Sequence, residues 1–178
     1  MEHAIRSLSL AFVVVLLLSL PACGSGTQET READSTLIAQ TPGPSDLVAS
    51  WVEMWNSYDL DQVPGLFLTD DRVSYVSSEF EGAIRGYEAV VEHHRGFGFV
   101  PGGVEKGTRL WVEDLSEARF GETAVLTAIW YFQRDDAGGA TSLQPPQRGP
   151  VTFVCVLQGN QWRFAHMNFG NYLDSEAE

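Results

Sequence analysis

Leu47-Val48-Ala49-Ser50-Trp51-Val52-Glu53-Met54-Trp55-Asn56-Ser57-Tyr58-Asp59-Leu60-Asp61 is the stretch on which the fold turns. Leu47, Val48, Trp51, Met54, Trp55 and Tyr58 recur at i, i+1, i+4, i+7, i+8 and i+11, which draws one apolar face over three helical turns. Ser45 is the expected N-cap, with Asp46 in the first turn where the helix dipole favours an acid. Leu60–Leu68 reads as a second, short helix with Pro64 near its first turn. Asp70-Asp71 breaks that pattern, and Val73–Ser77 reads as a strand. A third helix is expected over Gly86–Arg95, with Tyr87, Val90, Val91 and His94 on one side and Gly96 ending it. Gly96–Gly103, four glycines and a proline in eight residues, reads as a loop.

The remainder is β-like. Thr108–Glu113 is one strand, running on after a bulge. Thr123–Gln133 is rich in β-branched and aromatic residues. Asp135–Pro146 is a long turn, and Gly149–Gln158 and Gln161–Phe169 are joined by the hairpin signal Gly159-Asn160. Helices grouped first and strands grouped last predict an α+β domain with a mostly antiparallel sheet.

Upstream of the domain, Leu8–Leu20 is an apolar run the length of a signal h-region and short for a membrane-spanning helix. Leu20-Pro21-Ala22-Cys23-Gly24 follows it and resembles the bacterial lipobox, in which the Cys thiol takes a diacylglycerol before cleavage. Each buried methylene is worth ~0.8 kcal/mol, so two or three acyl chains anchor a protein that one would not. The alternative is an ordinary secretory signal with a coincidental Cys. Residue 24 is Gly rather than Asp, which by resemblance to Gram-negative sorting rules favours the outer membrane, facing the periplasm. The expected organisation is a signal peptide over 1–22, a lipidated Cys23 and polar linker over 23–45, the domain over 46–173, and an acidic tail over 174–178.

With 11 basic and 24 acidic residues the chain carries −13. Such a surface repels phosphate backbones and argues against nucleic acid as a partner; it also argues against docking on anionic lipid by charge, so membrane attachment is expected through Cys23 alone. The other cysteine, Cys155, sits in an apolar strand and reads as a core thiol. No P-loop, G-x-G-x-x-G or G-x-S-x-G pattern is present, and no cofactor is expected.

Several segments in order resemble the nuclear-transport-factor-2-like superfamily, in its SnoaL-like, ketosteroid-isomerase-related branch. They are Trp55–Asp61, Leu66-Phe67-Leu68-Thr69-Asp70-Asp71, Ile84-Arg85-Gly86-Tyr87-Glu88-Ala89-Val90 and Gln161–Asn168. The resemblance covers about residues 46–170 and implies a cystatin-like cone, with three N-terminal helices packed in a curved sheet around a deep apolar pocket. Enzymes and plain binders both use that pocket, so fold alone does not assign function. The three steroid-isomerase roles map onto Trp51, Val76 and Thr152, none of which can perform them.

What remains is a set of pocket candidates: Trp51, Trp55, Tyr75, Trp130, Arg148 and Asn168. Alternation over Gln161–Phe169 puts Trp162, Phe164, His166 and Asn168 on one face. If that face is internal, His166 is a candidate general acid or base; otherwise it is a bonded core histidine. Tyr75 is a candidate donor to His166 or to a ligand, and Arg148 a candidate carboxylate clamp or a solvated strand end. His93-His94 diverge by about 100° on a helix, so no metal site is expected. The expected function is a lipid-anchored domain binding a small hydrophobic or amphipathic molecule. The alternatives are an isomerase, lyase or hydrolase using His166, and an interaction module that forms a homodimer through the outer sheet face.

Overall fold

The computed structural model of the chain describes residues 42–135 and 144–172. The signal segment, Cys23, nearly all of the linker with its apolar Leu37-Ile38-Ala39, residues 136–143 of the long turn, and the acidic tail lie outside the described residues. The elements are α1 (Pro44–Ser57), a 3-10 turn (Leu60–Gln62), α2 (Val63–Leu66), β1 (Ser74–Val76), β2 (Ile84–Arg85), α3 (Tyr87–Gly96), β3 (Thr108–Phe120), β4 (Thr123–Arg134), β5 (Gln147–Gln158) and β6 (Gln161–Phe169).

The first helix starts two residues earlier than Ser45 would have it. Gly43 is the N-cap and Pro44, whose missing N–H costs nothing there, opens the helix. Asp46 reaches back to accept from the Gly43 N–H at 2.6 Å, and the Ser45 hydroxyl donates to Glu117 at 2.6 Å. The predicted second helix is a 3-10 turn followed by one α turn, because Pro64 and Gly65 do not sustain more. In α3 the buried residues are Val90, His93 and His94, so the inward face is turned from the predicted one and takes in His93.

The strands form one sheet in the order β2-β1-β6-β5-β4-β3. β1 runs parallel to β6 and the other pairings are antiparallel. The long strands β3 to β6 are successive hairpins, and Gly159 at φ 63 turns the last one where an L side chain would be strained. β2 was not anticipated; two residues carry too little pattern to read. The predicted bulge in β3 is present between Glu113 and Ser116, with Asp114 at φ 55.

One face of the sheet receives α1 and carries the core. Ala124, Leu126, Ala128 and Trp130 of β4 and Val151, Phe153 and Cys155 of β5 point inward and are buried. They meet Trp51, Met54 and Val48 of α1, with the Trp51 and Phe153 rings 5.4 Å apart edge to face. The Asn56 side chain ties helix to sheet edge: its amide donates to the Leu110 carbonyl at 2.9 Å, and its carbonyl accepts from the Leu110 N–H at 2.7 Å. The opposite face keeps half-buried Val125, Ile129, Tyr131, Val154 and Val156.

β6 does not alternate throughout. Val154 pairs with His166 but Cys155 pairs with Phe164, so Ala165 is an extra residue. Before it Trp162 and Phe164 face inward; after it Met167 and Phe169 do, and His166 and Asn168 face out.

Candidate functional site

Between α1, α3 and the inner sheet face lies a cavity of about 90 Å³. Its depth is lined by Trp51 and Trp55 from α1, Tyr75 from β1, His93 from α3, Trp130 from β4 and Phe169 from β6. Its rim carries Ser78, Glu79, Arg134 and Gln147. Each lining side chain is set by the parity of its element. Trp51 and Trp55 are one turn apart on the buried helix face, and Trp130 and Phe169 are inward strand positions.

Three nitrogens at this wall are buried and have no hydrogen-bond partner among the described residues: Trp51 Nε1, Trp55 Nε1 and His93 Nε2. The indole of Trp130 on the same wall donates to the Gly170 carbonyl at 2.9 Å, and that of Trp111 on the outer face donates to Glu113 at 3.0 Å. An unpaired buried donor costs ~1–3 kcal/mol. The three nitrogens are sealed from solvent by the surrounding rings, so each is an unpaired polar group of the core beside the cavity.

His93 and His94 are neutral at pH 7. Burial lowers His93 from 6.5 to about 4, and His94 likewise to about 4, where the hydrogen bond His94 donates to the Val90 carbonyl acts the other way and His93 adds to the lowering. His94 Nδ1 lies 2.8 Å from the Val90 carbonyl. A carbonyl only accepts, so the proton sits on Nδ1 and the buried Nε2 is a bare acceptor. His93 is enclosed by rings, with Tyr75 at 4.8 Å, Phe97 at 5.0 Å and Phe80 at 5.3 Å. Burial pushes the Tyr75 phenol far above its ordinary value of 10, so it stays a donor.

The structure brings Trp51, Trp55, Tyr75 and Trp130 of the predicted residues together at this cavity. It separates the other three. His166 and Asn168 are on the outer face because Ala165 shifts the register, and His166 Nδ1 pairs with the Ser74 hydroxyl at 2.8 Å. Tyr75 therefore lies on the opposite side of the sheet from His166 and cannot donate to it. Arg148 is exposed at an outward position beside the Tyr172 ring, since Gly149 is the inward residue there. A His166-centred acid–base site in the cavity is thereby excluded by geometry.

Of the isomerase-equivalent positions, Trp51 lines the cavity without a hydroxyl, and Val76 and Thr152 alternate outward beside buried Tyr75 and Phe153. The lining residues that sequence reasoning missed are Ser77, Ser78 and Glu79 after β1, His93 and Phe97 at α3, and Leu110, Phe132, Arg134, Gln147 and Phe169 on the long strands. Val90, His93, His94 and Phe97 do stand at i, i+3, i+4 and i+7, a helical face that the sequence carries openly.

No family model matches the chain, and no curated protein matches it. Solved structures do. A nuclear transport factor 2 (NTF2-like) superfamily protein from Salmonella enterica serovar Typhimurium superposes with a TM-score of 0.58 at 17% identity, over 75% of this chain and 93% of that one. A protein with a cystatin-like fold from Caulobacter vibrioides gives 0.57 at 17% identity, over 73% and 87%. The chain has the NTF2-like, cystatin-like α+β fold. The CaMKII hub of S. rosetta shares this NTF2-like architecture, at a TM-score of 0.58 and 18% identity over 74% of this chain and 98% of that one.

Proposed function

We propose that the chain is a lipid-anchored NTF2-like domain, of the SnoaL-like branch, that holds a small hydrophobic or amphipathic molecule in its cavity without steroid-isomerase chemistry. The observation that carries this is a cavity between the first helix and the sheet whose depth is lined by Trp51, Trp55, Tyr75, Trp130 and Phe169. Native mass spectrometry of gently purified protein tests it. A retained adduct of definite mass is expected. A bare mass from every preparation, with no small molecule taken up on incubation, overturns it.

Anchoring is supported by the apolar run and by Cys23 in its lipobox-like setting. Labelled palmitate should enter the wild-type chain in a Gram-negative host and not the Cys23→Ser variant; equal labelling removes the anchor. The expected location is the outer membrane, facing the periplasm.

A second reading, a homodimer, is favoured by one observation: the outer sheet face keeps Val125, Ile129, Val154 and Val156 only half-buried beside a Trp111–Tyr131 stack at 5.0 Å. Light scattering over a wide concentration range decides it, a constant monomer mass being the refuting result.

A further inference from the structure

The mouth of the cavity carries one side chain of each charge. Glu79 and Arg134 are both on the exposed rim, above walls that are aromatic or aliphatic apart from His93. Glu79 is held at the mouth from two sides. Its backbone N–H donates to the Ser77 hydroxyl at 3.1 Å, and one oxygen of its carboxylate accepts from the Gln147 amide at 2.8 Å. The other oxygen has no donor among the described residues, so it is open to one. Arg134 follows Trp130 and Phe132 at the inward parity of β4, and its guanidinium lies 5.7 Å from the centre of the Phe132 ring. Among the described residues, Glu79 and Arg134 form no ion pair with each other or with any third group. Two opposite charges that border one opening without neutralising each other suit a ligand head that carries both signs.

Charge and size narrow the choice. A simple carboxylate is repelled by the chain's −13 and has Glu79 beside it, and a simple ammonium has Arg134 beside it. A zwitterion carries no net charge and meets a partner on each side. Its head stays at the exposed rim, so no ion has to give up its water. The space below is about 90 Å³, room for about three groups the size of a water or a methylene at roughly 30 Å³ each, and less than the roughly 150 Å³ of a cavity that admits benzene. We infer that the ligand is an aliphatic α-amino acid with a side chain of about three carbons, its ammonium on Glu79, its carboxylate on Arg134 and its alkyl stem in the cavity between Trp130 and Phe169. This rests on the cavity reading above and adds the ligand's chemical class.

The test titrates the full ¹⁵N-labelled chain with L-norvaline and with the same stem stripped of one or both head groups: butylamine, pentanoate and 1-butanol. Norvaline should move the Trp130 indole resonance and the Glu79 and Arg134 amides, and leave the Trp111 and Trp162 indoles in place. Butylamine and pentanoate should each bind about threefold or more weakly, the loss of roughly one exposed ion pair, and 1-butanol more weakly still. L-Alanine, two carbons shorter, should bind weakly, and L-phenylalanine should not enter. Glu79 and Arg134 are exposed, so their substitution leaves the fold intact. Arg134→Gln should abolish the preference for norvaline over butylamine, and Glu79→Gln the preference over pentanoate. Binding of butylamine, pentanoate or 1-butanol as tight as that of norvaline, equal binding of phenylalanine, or preferences unchanged in both variants overturns the assigned class and leaves the cavity reading standing. Absence of any shift with every probe overturns both.

Discussion

His94 should make the domain sensitive to mild acid, by an amount that can be worked out. The ring is fully buried, with Phe99 at 5.1 Å, Phe67 at 5.5 Å, Trp55 at 5.7 Å and Tyr75 at 6.0 Å. Its folded pKa is depressed to about 4 from 6.5, mainly by burial, so the unfolded chain takes up the proton more readily than the folded one. Stability is therefore fully present above pH 6.5 and is lost as pH falls from there through about 4. At 1.36 kcal/mol per pKa unit, His94 alone removes about 2 kcal/mol between pH 7.5 and pH 5, and about 3 kcal/mol once both states are protonated. His93 acts in the same direction with a smaller share, because it borders a cavity that opens to water. Stopping at pH 5 keeps the carboxylates almost entirely out of the window. The assay is urea unfolding at the two pH values for the wild type and for His94→Phe, which keeps a flat ring and removes the titrating group. Any packing penalty in the variant is the same at both pH values and cancels in the difference. The wild type should lose about 2 kcal/mol more than the variant over the interval. Equal losses in the two proteins would show that His94 is not a buried neutral imidazole, and would refute the reasoning.

Other outcomes follow from single contacts. Gly149→Ala would place a Cβ 1.9 Å from the Gly170 carbonyl oxygen and 2.9 Å from the Asn171 Cα, both backbone atoms; the domain should lose about 2–3 kcal/mol. Because Gly170 also receives the Trp130 N–H, the Trp130 indole resonance should move, and an unchanged spectrum with unchanged stability would contradict the close approach. Asn56→Ala removes both bonds to Leu110 and should cost about 2 kcal/mol in denaturant unfolding, with amide exchange accelerated at Leu110; no change at that amide would contradict the tie. Cys155 is fully buried and its thiol is pushed up to about 12, chiefly by burial with Glu117 adding, so a thiol reagent at pH 8 should label it only as fast as the domain unfolds. Labelling at the rate of a free thiol would sink that expectation.

The helical face of α1 and the inward residues of β4 could be read in the sequence because each obeys one period over its whole length. That is why the sequence alone points to Trp51, Trp55 and Trp130. His166 and Asn168 fall on the other face from the one alternation predicts because the period fails within β6, and nothing in Phe164-Ala165-His166 signals the extra residue. Both faces of the late strands are apolar, so hydrophobicity did not reveal the slip. His93 is missing from the pocket candidates for a different reason: the sequence reading weighs it only as a metal ligand, whereas between Tyr75 and Phe97 it packs as an aromatic. The rim residues Arg134 and Gln147 are strand ends whose inward parity becomes clear only once the pairing of β4 with β5 is known.

The Asn56 clasp also bears on how the molecule keeps to itself. β3 is an edge of the sheet, 13 residues long, the kind of strand that recruits another chain into an unplanned ladder. At Leu110 the side-chain amide of Asn56 already occupies both the N–H and the C=O that an incoming strand would need. Farther along, the bulge and the left-handed Asp114 break the straight row of free groups, and Glu113 and Glu117 add charge. One helix residue thus does for part of this border what a seventh strand would do, and leaves no vacancy there for fibril growth.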